Sequence, residues 1–264
     1  MPQPDVTEHV TEPRQPISFQ ESQVLAQSLP DTPENVISIH CLKRGLAKTL
    51  TIGSPRDFSA AIIQTDSCPA EPNSFGCNAE EILQLLSAVE GWTCVLADSG
   101  VADALGPLIE ARRSCRVRFL EDIYHVLEKP LVGFHNELVQ QLRMEDLELL
   151  EAAPKELRSG SWDSTHRLLS EGIIACAIVE GQIVATALTT AFSNKYADVG
   201  VYTDPAFRQR GFALAATAIV VNQVLAGGRT PVWSTGASNT ASLRMAERLG
   251  FLESSRRKYV ILVP

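Results

Sequence analysis

The stretch "DPAFRQRGFALAATAIVV", residues 204–221, decides how the second half of this chain is read. Asp204-Pro205 is a turn signal. Arg208 and Arg210 bracket Gln209, Gly211 follows, and from Phe212 onward almost no side chain is polar. A helix that starts at such a turn has unpaired N–H groups in its first turn. Together with the positive end of the helix dipole they make an anion site. Gly211 lets a bulky anion approach the backbone because it has no Cβ, and Ala213 keeps the next turn small. The arginines add charge, and the apolar helix behind is anchored in the core and holds its own N-terminus rigid. The stretch is built to hold phosphates. In an ordinary βα unit the same residues would be two surface arginines and an incidental glycine, so the flanking sequence has to decide.

Outward from that stretch the chain alternates in type. "YADVGVYT" before it reads as a strand, and "TPVWST", "NTASLRMAERLG" and "SRRKYVILV" after it read as strand, helix and strand. Upstream, "IIACAIVEGQIVATALTTAF" is a hairpin turning at Glu180-Gly181, and "EDLELLEAAP" and "DSTHRLLSEG" look helical. The first half has a similar plan. "ESQVLAQSLP" is a short helix, and "NVISIHCL", "AKTLTIGS" and "FSAAIIQT" are expected to be three strands. "DSCPAEPNSFG" is expected to be a loop. "NAEEILQLLSAVEG" is a helix capped by Asn78, "WTCVLAD" a strand, "VADALGPLIEARR" a helix interrupted at Gly106-Pro107, and "CRVRFLEDIYHVL" a strand. Pro130 marks a boundary. The expected organisation is a tail over 1–16, an N-terminal domain over 17–130 and a C-terminal domain over 131–264.

The chain has 264 residues, 45% of them hydrophobic, enough for one large domain or two small ones. A formal charge of −8 argues against non-specific binding to nucleic acid or an anionic membrane. The first residues carry prolines and acids without an apolar core segment, so no secretory signal is expected. No apolar run reaches the roughly 20 residues of a bilayer span. Cys41, Cys68, Cys77, Cys94, Cys115 and Cys176 form no CxxC pair. They are expected to be mostly buried thiols in a reducing cytoplasm, with no metal site.

Arg208-Gln209-Arg210-Gly211-Phe212-Ala213 matches the Gln/Arg-x-x-Gly-x-Gly/Ala pyrophosphate loop of the GNAT superfamily of CoA-dependent N-acyltransferases, which the chain resembles over residues 132–264. "DVGVYTDPAFR" is similar to that family's fourth strand. "SNTASLRMAERLGF" is similar to a later helix, with Asn239, Ser242 and Leu249-Gly250-Phe251 in place. The resemblance implies an α/β fold with a mixed sheet and acetyl-CoA, or another acyl-CoA, as co-substrate. It places the pyrophosphate on the amides from Gln209 to Ala213, helped by Arg208. The pantetheine arm would lie beside Val201 and Thr203, with Asn239 near the thioester end and Ser242 among the cofactor-binding residues. The expected reaction is direct attack of a small-molecule primary amine on the acyl carbonyl, which needs positioning, an oxyanion donor and a proton acceptor. Asp198, on the same strand, is the candidate base, against a plain surface acid.

The match departs from the family in two places. Many relatives have a tyrosine on the helix after the Asn, where this chain has Ala246, which leaves Tyr202 or Tyr259 as candidate acids or none needed. The first half has no such loop, since "QTDSCPAEPNSFGCN" holds prolines and no arginine. It resembles the degenerate first domain of two-domain relatives such as the glycine N-acyltransferase-like group, which implies a half that walls the acceptor side. His166 and Glu171 fit a solvated helix face better than an acceptor contact. Trp162 and Trp233 fit core or cleft wall, and Arg256-Arg257-Lys258 a solvated strand end better than a contact to the CoA 3′-phosphate. Two other readings stay open: an acyl-CoA sensor without turnover, and a protein- or O-acyltransferase.

Overall fold

In the computed structural model, residues 15–158 and 160–263 are described. Of the expected tail, residues 1–14 therefore lie outside the described residues. Helix α1 (Phe19–Ser28) opens on a reciprocal cap, in which the Ser18 hydroxyl accepts from the Glu21 N–H and the Glu21 carboxylate accepts from the Ser18 N–H. The next element corrects the sequence reading. "NVISIHCL" is not a strand but helix α2 (Val36–Arg44), closed by Gly45 in the left-handed conformation. Its β-branched residues suggested a strand. However, α2 packs on α1 on one side and across the sheet on the other. Six of its nine residues are buried, so no polar face betrays the helical period.

Strands β1 (Ala47–Ser54) and β2 (Asp57–Thr65), both expected as strands, pair antiparallel as a hairpin. The stretch expected to be wholly loop contains a short strand, β3 (Asn73–Gly76), which is held on β2. Helix α3 (Ala79–Leu86) is capped by Asn78, and β4 (Cys94–Ala97) follows. Helix α4 (Ser99–Arg113) runs straight through Gly106-Pro107 instead of breaking there. Burial of Ala102, Leu105 and Ile109 in the core outweighs the one backbone bond that proline removes. Gly106 has a reason of its own, because a Cβ there would stand 2.5 Å from the Phe119 ring. Phe119 belongs to β5 (Arg116–Val126).

The second half continues with β6 (Val139–Gln141), α5 (Leu147–Ala152) and α6 (Thr165–Glu171). Next come the hairpin β7 (Ile174–Val179) and β8 (Gln182–Phe192), then β9 (Tyr196–Thr203) and α7 (Phe212–Ala226). Strand β10 (Thr230–Gly236), α8 (Thr240–Arg248) and β11 (Leu252–Val263) complete it.

All eleven strands join one mixed sheet in the order β1-β2-β3-β4-β11-β5-β10-β9-β8-β7-β6. Strand β11 sits between β4 and β5, antiparallel to both, and β5 in turn pairs with β10. The last strand is thus bonded to strands of the first half, and a first-half strand to one of the second. Among the described residues, only β3–β4 and β9–β10 are parallel. Helices α3 and α4 bury their apolar sides against Leu50, Ile62, Val95 and Val260 of the sheet. Ala216, Val220 and Val224 of α7 cover Val199 and Ala187, while Val221 of the same helix meets Trp233, Ala246 of α8 and Leu249, which caps α8.

The cysteine expectation needs correction. Cys41, Cys94 and Cys176 are buried, but Cys68 and Cys77 are exposed and Cys115 is half-buried; all six are free thiols.

Candidate active site

Strands β9 and β10 pair at three positions only: Thr230 with Tyr196, Pro231 with Ala197 and Val232 with Asp198. Beyond Val232 and Asp198 they part. Apart from the Thr203 carbonyl, which Arg208 occupies, the backbone N–H and C=O groups of residues 199–203 that would have faced β10 are therefore open to something laid in the gap. The chain leaves β9 at Thr203 and enters α7 through the loop read from the sequence. Gln209 (φ 63°) and Gly211 (φ 78°) both take the left-handed conformation, an arrangement that gathers successive N–H groups into a concave anion nest. Gly211 is itself the α7 N-cap and has no side chain to satisfy the first turn. The first intrahelical bond is the one from the Ala215 N–H to the Gly211 carbonyl. A Cβ on Gly211 would meet nothing within 4 Å, so the space over it is open.

That space is a cavity of about 790 Å³. Val201 and Thr203 of β9, the whole loop from Arg208 to Ala213, and Asn239 and Ser242 at the start of α8 all line it. Asn239 caps α8 through its Oδ1, which accepts from the Ser242 N–H at 3.2 Å. The Ser242 hydroxyl accepts from Trp233 Nε1 at 2.9 Å, which pins the indole as a wall. Arg208 and Arg210 are held by their own loop: Arg208 Nε donates to the Thr203 carbonyl at 3.2 Å and Arg210 Nη2 to the Ala206 carbonyl at 3.4 Å. The cavity also takes in Arg244 and Arg248, which the sequence reading missed. Their spacing from Asn239 was the available signal, because positions 241, 244, 245 and 248 share a helix face. Among the described residues, four arginines line the cavity and no acid does, in a protein whose formal charge is −8. That is the charge pattern of a polyanion site.

Asp198 does not line this cavity. Side chains alternate along β9, and Val199 and Val201 pack under α7, so Asp198 points to the opposite face. There it forms part of the wall of a second cavity, of about 720 Å³. Asp198 is 6% exposed, a buried group and not a surface acid. The hydroxyls of Thr190 and Ser234 donate to its two carboxylate oxygens, the second at 3.3 Å. Burial raises its pKa to about 6, against those two hydrogen bonds, which lower it. Tyr202 packs among the residues of the second face, beside Leu168 and Trp162, and also lines the first cavity.

The second cavity is walled by both halves of the chain. Ile37 and Cys41 of α2 and the segment Asp66–Cys68 come from the first half, and Arg158, Trp162 and Leu168 from the second. The half-buried Trp162 is fixed by donation from Nε1 to the Thr189 carbonyl at 2.7 Å. His40 ties the halves together beside it: Nδ1 accepts from the Phe192 N–H at 3.0 Å, so Nε2 carries the proton and donates to the Ser161 carbonyl at 3.1 Å. Burial is the first cause that lowers its pKa to about 4, so the ring is neutral. His166 and Glu171 do not reach this cavity. His166 is exposed on α6, and Glu171 is ion-paired to Arg44 at 2.5 Å.

The remaining candidates have other partners. Arg256 pairs with Glu253 and Glu121, and Lys258 with Asp103. Arg257 is buried, not a solvated strand end. Its Nη2 donates to the Ser74 carbonyl at 2.5 Å and its Nε to Asp98 at 3.1 Å, over the ring of Phe75. The place matters, because β3 and β4 are the first half's parallel pair and meet at only one position, Asn73 with Leu96. Where β9 and β10 leave an open gap, β3 and the end of β4 are bridged by this guanidinium. Tyr259 lies on β11 opposite Leu96 and Leu120, away from the first cavity. Ala246 is fully buried between α7 and α8, so that position faces helix packing and not the cavity.

A mixed sheet whose parallel strands part over a glycine-started helix, with a cavity of arginines at the opening, defines the class. Residues 28–262 match the GNAT acetyltransferase family, and the chain belongs to it. The family uses acetyl-CoA as its co-substrate. Solved structures share the fold. A GCN5-related N-acetyltransferase-like protein from Streptococcus suis is 19% identical, with 92% of this chain and 99% of that one covered at a TM-score of 0.67. A Drosophila protein is 16% identical, with 96% and 99% covered at 0.66. A tandem GNAT protein from the clavulanic acid biosynthesis pathway is 12% identical, with 93% and 94% covered at 0.53. No curated protein sequence matches this chain at a significant level. No helix among the described residues is long and apolar enough to cross a membrane.

Proposed function

We propose that the chain moves an acetyl or other short acyl group from acyl-CoA to a primary amine of a small molecule by direct attack. The observation that carries this reading is the arginine-lined cavity at the mouth of the β9–β10 gap, with Asp198 on the other side of the same gap. In this reading the CoA pyrophosphate rests on the amides from Gln209 to Ala213. The pantetheine arm enters the gap and bonds the open backbone of Val201 and the N–H of Thr203. The amine approaches from the second cavity, so nucleophile and thioester meet through the sheet without a covalent enzyme intermediate. Residues 17–130 supply a wall of that second cavity and no cofactor loop.

The chemistry asked of the side chains is modest. An ammonium has no lone pair, so it must lose a proton before attack. A carboxylate with a pKa near 6 is ionised at neutral pH yet basic enough to take that proton, directly or through water. Tyr202, which lines the first cavity, is the candidate donor for the leaving thiolate. Val201, Thr203 and Asn239 position the donor, which is worth more here than a nucleophile. Thiol release from acetyl-CoA with a panel of small amines tests the reading, and calorimetry with acetyl-CoA tests the site. Tight binding with no thiol release for any amine would favour an acyl-CoA sensor instead, a reading consistent with the buried Ala246. Release with peptides or alcohols alone would move the acceptor class.

A further inference from the structure

We infer that the acceptor carries a carboxylate as well as its amine, in the manner of an amino acid, and that Arg158 holds the carboxylate while the amine faces Asp198. This rests on the acyltransferase reading and deepens it by naming the acceptor class. Among the described residues, five charged side chains line the second cavity: Asp66, Lys155, Arg158, Asp163 and Asp198. Their surroundings rank them. Asp163 is exposed and paired with Arg167 at 3.2 Å, and Asp66 and Lys155 are exposed as well, so water screens all three. Arg158 is half-buried and Asp198 is buried. Those two act on a bound molecule with the least screening, and they are of opposite sign.

Neither charge neutralises the other. Among the described residues Arg158 makes no ion pair. Its Nε donates to the Ala153 carbonyl at 3.0 Å, which orients the guanidinium and leaves both Nη atoms without a hydrogen bond. Asp198 accepts from the hydroxyls of Thr190 and Ser234. The backbone keeps the two groups within reach of one small molecule. The single helical turn Lys155–Leu157 packs against β8 and β9. Three residues past Arg158, the Ser161 N–H donates to the Thr190 carbonyl at 3.0 Å, and Thr190 is the residue that holds Asp198. Three residues of chain span about 10 Å at most. Two open Nη atoms match a carboxylate through parallel hydrogen bonds, whereas a plain amine would leave that cation unanswered. Ile37, Trp162 and Leu168 give the rest of the molecule an apolar wall.

Thiol release from acetyl-CoA by the full chain tests this with matched acceptors: amino acids of several side chains, their carboxamides, the amines left when the carboxyl group is removed, and an aliphatic diamine. The amine of a carboxamide is the weaker base, so more of it is neutral at pH 8, and a preference for the acid cannot come from protonation. In the wild-type protein kcat/KM is expected to be at least about tenfold higher for the acid than for its amide, the scale of a two-point charge-assisted contact at a half-buried site. Arg158→Gln should bring acid and amide to equal kcat/KM, chiefly by raising KM for the acid, and Arg158→Lys should keep part of the preference. Amides or plain amines used as well as acids by the wild-type protein overturn the inference without any variant. So does a folded Arg158→Gln variant that keeps the preference. A diamine as the best acceptor overturns it too, and moves recognition to Asp66. In each of these cases the acyltransferase reading stands. If acetyl-CoA binds and no acceptor of any kind releases thiol, that reading fails and this inference fails with it.

Discussion

Replacing Asp198 by Asn should make the protein more stable and less active at the same pH. Burial raises the Asp198 pKa from 3.8 to about 6. The gap of roughly two pKa units corresponds to about 3 kcal/mol lost on keeping the carboxylate ionised in the fold. Because the folded value lies above the unfolded one, the contribution is most favourable below pH about 4 and declines as pH rises through about 6. Asn is uncharged and nearly isosteric, and the hydroxyls of Thr190 and Ser234 can turn to meet its amide. Some hydrogen-bond energy is lost with the charge, so the expected net gain at pH 8 is about 1–2 kcal/mol. Near pH 4 the difference should close. Turnover with a primary amine should meanwhile fall about 10²–10⁴-fold, with acetyl-CoA affinity little changed. Urea unfolding at pH 4 and pH 8, together with thiol release across pH 6 to 9, measures both quantities. An Asn variant of unchanged turnover would show that the amine loses its proton elsewhere. A variant no more stable at pH 8 would show that the ionised carboxylate is not held at a cost.

Three other outcomes are expected. Gly211→Asp places a carboxylate and a Cβ in a left-handed position facing the phosphates, so acetyl-CoA affinity should drop at least tenfold, about 1.4 kcal/mol, by calorimetry. An unchanged affinity in a folded variant would remove the cradle from the reading. Titration of the whole chain should give one CoA per chain, because the β3–β4 gap is bridged by Arg257; a stoichiometry of two would show that the first half has a site of its own. His40 contributes stability that is complete above pH about 6.5 and lost as pH falls toward about 4, by about 3 kcal/mol, since its folded value lies below its unfolded one. His40→Leu should cost about 2 kcal/mol at pH 8, where it leaves the Phe192 N–H and the Ser161 carbonyl unpaired, and that deficit should shrink on acidification. A deficit that stays constant from pH 8 to pH 4 would mean that His40 does not titrate in this way.

The cofactor cavity was legible because its parts are local. A turn, two arginines, a glycine and an apolar helix lie within eighteen residues, and Asn239 with Ser242 lies one strand and one turn further on. The α8 arginines were equally open to a reading by helix face. The second cavity was not, because Cys41, Asp66 and Asp198 are brought together only by contacts between residues far apart in the chain. The same limit hid the burial of Asp198, which depends on what covers its face. Helix α2 was misread for a related reason, since an element wedged between two layers loses the polar stripe that marks its period. Strand β3 is four residues in a Pro-rich run, and its pairing with β2 alone identifies it. Nothing local in "SRRKYVILV" says that it will pair with strands more than 130 residues earlier.

That pairing governs how the chain can be made. During synthesis β4 and β5 emerge early, yet the place between them is filled only when residues 252–263 leave the ribosome. Until then the nascent first half has two raw strand edges around a missing rung, with the backbone N–H and C=O groups of β4 and β5 that β11 will pair left without partners. It therefore has to be shielded or kept loose through most of translation. For the same reason, a fragment ending near residue 130 should be sticky and unfinished, and it should be rescued only by a second piece that brings the last strand with it.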